Sequence, residues 1–112
     1  MEIGSEKRGD ALIVSASGRL DTNTSGELEK QLLDWIAAGE NRLVVDLTGV
    51  EYISSAGLRV LLLATKKLKQ ASGLLALCGM RESVHQIFEL AGFLAIFTVE
   101  ADVDAALSRV AG

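Results

Sequence analysis

The sequence has no proline, one cysteine and one histidine, and each scarcity excludes something. Without proline, and without a low-complexity tract or an internal repeat, no stretch reads as a linker, so one domain over residues 1–112 is expected. A lone Cys78 excludes an internal disulfide and a cysteine-cluster metal site. The N-terminal Met1-Glu2-Ile3-Gly4-Ser5-Glu6-Lys7 lacks the apolar core of a secretory signal. Apolar runs such as Val60–Ala64 fall far short of the roughly 20 residues that cross a bilayer, so a cytoplasmic protein without membrane insertion is expected. Eleven bases against 15 acids give a net charge of −4, which argues against direct nucleic-acid binding.

Catalytic chemistry is equally sparse. His85 stands among Arg81, Glu82 and Gln86 with no placed acid–base partner, and reads as a solvated surface residue. Cys78 ends an apolar strand, where a free thiol is ordinarily a small buried hydrophobe. There is no glycine-rich phosphate loop, no dinucleotide pattern, no Gly-x-Ser-x-Gly and no metal-like carboxylate cluster; Asp102 and Asp104 read as charges at a helix N-terminus. The expectation is a non-enzyme without cofactor or metal.

What is present is strongly periodic. Hydrophobic residues make up 49% of the chain and charged ones 23%, the balance of an ordinary folded domain. Residues 2–8 read as an edge strand, and Ala11 to Ala16 as a second strand stopped by Gly18. Thr24-Ser25-Gly26-Glu27 has the form of a capping box, ahead of a helix that aligns Leu28, Leu32, Trp35 and Ile36 and stops at Gly39. Leu43 to Leu47 reads as a buried central strand, Thr48 to Ser55 as a loop, and Ala56 to Gln70 as a helix. A strand over Leu74 to Cys78, a short helix marked by Val84, Ile87, Phe88 and Ala91, a strand over Ile96 to Val99 and a helix over Val103 to Val110 follow. The order ββαβαβαβα implies an α/β fold with a mixed, mainly parallel sheet. In such sheets sites form beyond the carboxyl ends of strands, which singles out the loops Gly18–Thr24 and Thr48–Gly57.

The second loop carries two consecutive serines, Ser54 and Ser55, where it enters a helix. Either can cap that helix, an interaction of about 1 kcal/mol. A hydroxyl there is also well placed to carry a phosphoryl group, because free N–H donors and the helix dipole favour an anion. Both readings can hold for the same serine.

The run Asp46-Leu47-Thr48-Gly49-Val50-Glu51-Tyr52-Ile53-Ser54-Ser55-Ala56-Gly57-Leu58-Arg59-Val60-Leu61-Leu62 resembles the signature of STAS domains, specifically of bacterial anti-anti-sigma factors (anti-sigma factor antagonists). Gly18-Arg19-Leu20-Asp21 and Val84-x-x-Ile87-Phe88-x-x-x-Ala91-Gly92-Phe93 extend the resemblance over almost the whole chain. It implies the STAS fold and a switch without chemistry of its own. Such proteins bind an anti-sigma factor, often a serine protein kinase of the histidine-kinase-like ATPase type, and so release a sigma factor. The kinase phosphorylates a serine at this helix start and a phosphatase restores it. Alignment on Gly57 places that serine at Ser55, with Ser54 second, and puts Asp21, Thr22 and Asn23 in the loop beside it. Two positions depart from the family pattern: Ser54 replaces a common aspartate and Ala56 a common serine or threonine, so kinase recognition should differ.

At 100° per residue, Leu58, Leu61, Leu62, Thr65 and Leu68 form a core-facing stripe, while Arg59, Leu63, Lys66 and Gln70 lie on the side of Ser55. Arg59, Leu63 and Lys66 are accordingly the expected partner interface. The alternative is a STAS scaffold subunit that is never phosphorylated, within a signalling or lipid-transport complex. A small-ligand sensor is a third reading. The identity of the sigma and anti-sigma factors, the upstream signal and the oligomeric state stay open.

Overall fold

Five strands and four helices follow one another in the order ββαβαβαβα in a computed structural model that describes residues 1–111. β1 (Glu2–Arg8) turns back into β2 (Ala11–Leu20), and α1 (Ser25–Ala37) carries the chain to β3 (Arg42–Ile53). α2 (Ser55–Gln70), β4 (Leu74–Cys78), α3 (Glu82–Leu90), β5 (Thr98–Glu100) and α4 (Val103–Val110) complete the alternation. The strands lie side by side in sequence order, antiparallel between β1 and β2 and parallel thereafter. The mixed, mainly parallel sheet expected from the sequence is the one observed.

Strand alternation decides the layers. β2 to β5 step across the sheet in one direction, so right-handed crossovers deliver α1, α2 and α3 to a single face. Leu12, Val14, Leu43, Val45, Leu75 and Leu77 point to that face, where they meet Leu28 and Leu32 of α1, Leu61 and Leu68 of α2, and Phe88 of α3. The intervening residues Ile13, Val44, Ala76 and Cys78 point the other way and are covered by Ala106 and Val110 of α4. A continuous apolar run in β3 and β4 is what two covered faces require.

Four expectations about where elements end and how they are capped are corrected. Gly18 does not stop β2: it adopts φ +99°, open to glycine, and the strand continues to Leu20. The segment from Thr48 is not a loop, because β3 runs on to Ile53 beside the lengthened β2. Its pairing slips twice, between Ser15 and Ser17 and between Gly18 and Arg19, and each time β3 carries one extra residue. Leu47, Val50 and Ile53 therefore all reach the core at intervals of three, which disguises a strand from any test for alternation. β5 starts at Thr98 rather than Ile96, since the N–H groups of Ile96 and Phe97 already donate to the Phe93 carbonyl. Phe97 instead packs edge-on against Phe88 with 5.6 Å between ring centres. The fourth correction concerns Thr24 and lies within the site.

Candidate functional site

The carboxyl ends of β2 and β3 finish together, with Leu20 opposite Ile53. The next residue on β3's side, Ser54, donates its N–H to the Leu20 carbonyl at 2.9 Å. The two segments singled out in the sequence thus meet at one end of the sheet, shortened to the Asp21–Thr24 turn on one side and the Ser54–Ser55 junction on the other.

Gly57 makes this meeting possible. A Cβ there would lie 2.7 Å from Leu20 Cγ, 2.9 Å from Ile53 Cγ1 and 3.0 Å from the Leu20 carbonyl oxygen, all below van der Waals contact. Absence of a side chain lets the first turn of α2 press onto the ends of both strands. That contact fixes where the two serines stand.

The serines have different roles. Ser54 is the N-cap: its backbone is extended, its Oγ accepts the Gly57 N–H at 3.3 Å, and its carbonyl accepts from Leu58 at 3.0 Å. It is half-buried, and every backbone polar group it has is engaged. Ser55 is the first helical residue, exposed, and its hydroxyl has no hydrogen-bond partner among the described residues. The cap and the free hydroxyl are thus divided between neighbouring residues instead of competing for one.

Across the junction, the capping box expected from Thr24 and Glu27 does not form. The Thr24 hydroxyl donates to the Arg19 carbonyl at 2.7 Å and accepts the Asp21 N–H at 3.0 Å, which takes it away from the helix. Asp21 caps the turn in its place: Oδ1 accepts the N–H of Asn23 at 3.0 Å and of Thr24 at 3.2 Å. Thr22 and Asn23 are exposed at the tip. Burial pushes the Asp21 carboxyl upward, but the Asn23 N–H, the Thr24 hydroxyl and N–H, and the Arg19 charge outweigh it and hold the group below its ordinary 3.8. Asp21 is therefore an anion at neutral pH.

Arg19 was not among the expected site residues, nor was Tyr52. Arg19 Nε stands 3.7 Å from Asp21 Oδ2, and its guanidinium lies over the Tyr52 ring at 4.5 Å from the centroid. Arg19 and Tyr52 are register partners on β2 and β3, a pairing the sequence conceals because the register slips just before it.

Along α2, Arg59 and Lys66 are exposed as expected. Leu63 is half-buried rather than exposed, and Leu62, placed in the core stripe by periodicity, is half-buried at the edge of the core. Gly57, Val60 and Ala64 are buried as well, so the core stripe is wider than the leucines alone suggest. Elsewhere, burial, with help from Asp46 and Asp102, pushes the Cys78 thiol up to about 12, which keeps it protonated and unreactive. His85 is exposed on α3, and no helix among the described residues is long and apolar enough to cross a membrane.

At this end of the sheet, helix α2, docked through Gly57, thus presents the exposed Ser55 next to the end of β2 that leads into the acidic Asp21 turn. The STAS domain family model matches residues 2–106, and the chain belongs to that family, among the bacterial anti-sigma factor antagonists. It is 41% identical over 106 residues to BtrV of Bordetella bronchiseptica, a proposed anti-sigma factor antagonist, across 95% of this chain and 91% of that one. An anti-sigma factor antagonist of Mycobacterium paratuberculosis superposes with a TM-score of 0.90 at 27% identity, covering 99% of this chain and 94% of that one. The Bacillus cell fate determinant SpoIIAA in its phosphorylated form shares the fold, with a TM-score of 0.74 at 16% identity over 97% of this chain and 99% of that one.

Proposed function

We propose that this chain binds an anti-sigma factor of the serine-kinase type through the Ser55 end of α2, so releasing a sigma factor, and that phosphorylation of Ser55 ends the binding. The observation that carries the reading is the division of labour between the two serines. Ser54 holds the helix, whereas Ser55 offers an exposed hydroxyl with nothing attached to it. Its relatives' names support the antagonist role, and a phosphorylated form exists for a protein of the same fold.

Phosphorylation adds about −1.5 to −2 charges at neutral pH. At the first residue of α2 this charge meets the positive end of the helix dipole, so the fold is not disturbed. The cost falls on the complex, where a dianion beside the anionic Asp21 turn must be desolvated against the partner. A phosphatase then restores the binding form. The chain acts as a regulator and needs no cofactor for this.

Incubating the protein with a purified serine-kinase anti-sigma factor from the same genome and ATP, followed by intact mass and peptide mapping, tests the reading. One phosphate on Ser55, absent from Ser55→Ala and retained in Ser54→Ala, is the expected result, together with loss of the complex. A stable complex that never acquires phosphate would instead make the chain a constitutive scaffold, a role consistent with Ser54 standing where the family often has aspartate.

A further inference from the structure

The basic residues of this chain are divided by position. Seven of the 11 lie outside α2, and all seven have partners: five sit in ion pairs, Arg42 donates to the Val110 carbonyl and Arg81 to the Thr48 carbonyl. The other four, Arg59, Lys66, Lys67 and Lys69, are all on α2, all exposed, and none is paired among the described residues. α2 contains no acidic residue, so it carries +4 on a molecule whose remainder, seven bases against 15 acids, carries −8. Arg59 and Lys66 stand about 10 Å apart along the axis and nearly in line, in the same stripe as Ser55, with the half-buried Leu62 and Leu63 on either flank. Pairs within the fold would have been easy to provide, since acids outnumber bases. Leaving one helix unpaired concentrates the molecule's free positive field on a single face.

Resting on the anti-sigma antagonist reading, we infer that the Arg59–Lys66 stripe of α2 is an electrostatic docking surface for an acidic patch on the anti-sigma factor, and that it sets the rate of encounter. The uncompensated cations explain the choice of partner chemistry: an acidic surface is steered to α2 and repelled by the rest of this chain. Charges at the rim of an interface act mainly on association, while Leu62 and Leu63 supply apolar area that holds the complex once formed. Phosphate on Ser55, one helical turn from Arg59, cancels the nearer end of the stripe.

Stopped-flow association with the anti-sigma factor used for the phosphorylation assay tests this. Arg59→Glu and Lys66→Glu should each lower kon about tenfold at low salt, with dissociation little changed and the deficit shrinking as salt rises. Lys7→Glu, an equal charge change on the edge strand β1, should leave kon within about twofold, and unchanged melting temperatures establish that all three variants fold. A complex whose kon ignores both substitutions and salt would overturn the docking surface while leaving the antagonist reading intact. No complex with the unaltered protein would overturn both. If Arg59→Glu and Lys66→Glu instead abolished co-sedimentation with phosphatidylglycerol vesicles and spared the protein complex, the stripe would belong to a membrane surface and the inference would fall.

Discussion

Toward the sheet, α2 buries Gly57, Leu58, Leu61 and Leu68, and its first turn presses on Leu20 and Ile53 so closely that a single added methyl would collide. Toward solvent, the same helix leaves the Ser55 hydroxyl and four cations without a partner among the described residues. The inner side has no freedom, and the outer side has unspent bonding capacity throughout. Stability and recognition therefore reside on opposite sides of one helix. A switch built this way can gain a phosphate or exchange a partner without repacking its core.

Substitutions should sort by side, and Leu61→Ala should show the largest effect. Leu61 is fully buried, and its truncation leaves a cavity costing about 3 kcal/mol in denaturant unfolding. The folded fraction should still bind its partner with unchanged affinity. A variant that keeps its stability but loses binding would mean the inner side takes part in recognition after all.

Gly57→Ala should cost about 2 kcal/mol by the same measurement, because the new methyl forces α2 away from Leu20 and Ile53. Unlike Leu61→Ala, it should also weaken binding, since the displaced turn carries Ser54 and Ser55 with it. Gly57 is the place where the two sides are coupled. Full binding in this variant would show that the position of the helix start is not what the partner reads.

The neighbouring serines sharpen the contrast further. Ser54→Ala removes an N-cap and should cost about 1 kcal/mol, whereas Ser55→Ala should stay within about 0.5 kcal/mol of the unaltered protein. Ser55→Asp should be neutral or slightly stabilising, from a negative charge at a helix N-terminus, and yet bind poorly. Equal destabilisation by the two alanines would erase the division of roles on which the choice of Ser55 rests.

How far these features were visible in the sequence depends on whether they obey a local rule. The element order, the buried strands β3 and β4, and the outward Arg59 and Lys66 follow from continuous apolar runs and period 3.6, so they are legible. The end of β3 breaks its period twice, and Leu47, Val50 and Ile53 then look like a loop although each is buried. Thr24 and Glu27 satisfy a capping pattern, but Arg19, five residues back, wins the threonine hydroxyl. The pairing of Arg19 with Tyr52 needs the slipped register to be known first. Ser55 itself was placed by resemblance to a motif; physical reasoning left Ser54 and Ser55 equivalent, since only the backbone angle at Ser54 decides which of them caps the helix.

The smallest expected effect is on the acidic turn beside the serines. Asp21 titrates below its ordinary 3.8 in the folded protein, so its ionised form is the one the fold prefers. The stability it contributes is complete above the ordinary value and is lost as pH falls from there through the lowered folded value. Asp21→Asn keeps an oxygen for the Asn23 and Thr24 N–H groups but loses the attraction to Arg19. The variant should therefore melt slightly below the unaltered protein at neutral pH, by a margin that does not change until the solution is acidified to about pH 4 and then closes. The margin is small because the carboxylate is a quarter exposed and Arg19 more than half. A gap that widened on acidification would mean that the fold stabilises the neutral carboxyl, and that Arg19 and the Asn23 and Thr24 N–H groups do not favour the anion as their geometry indicates.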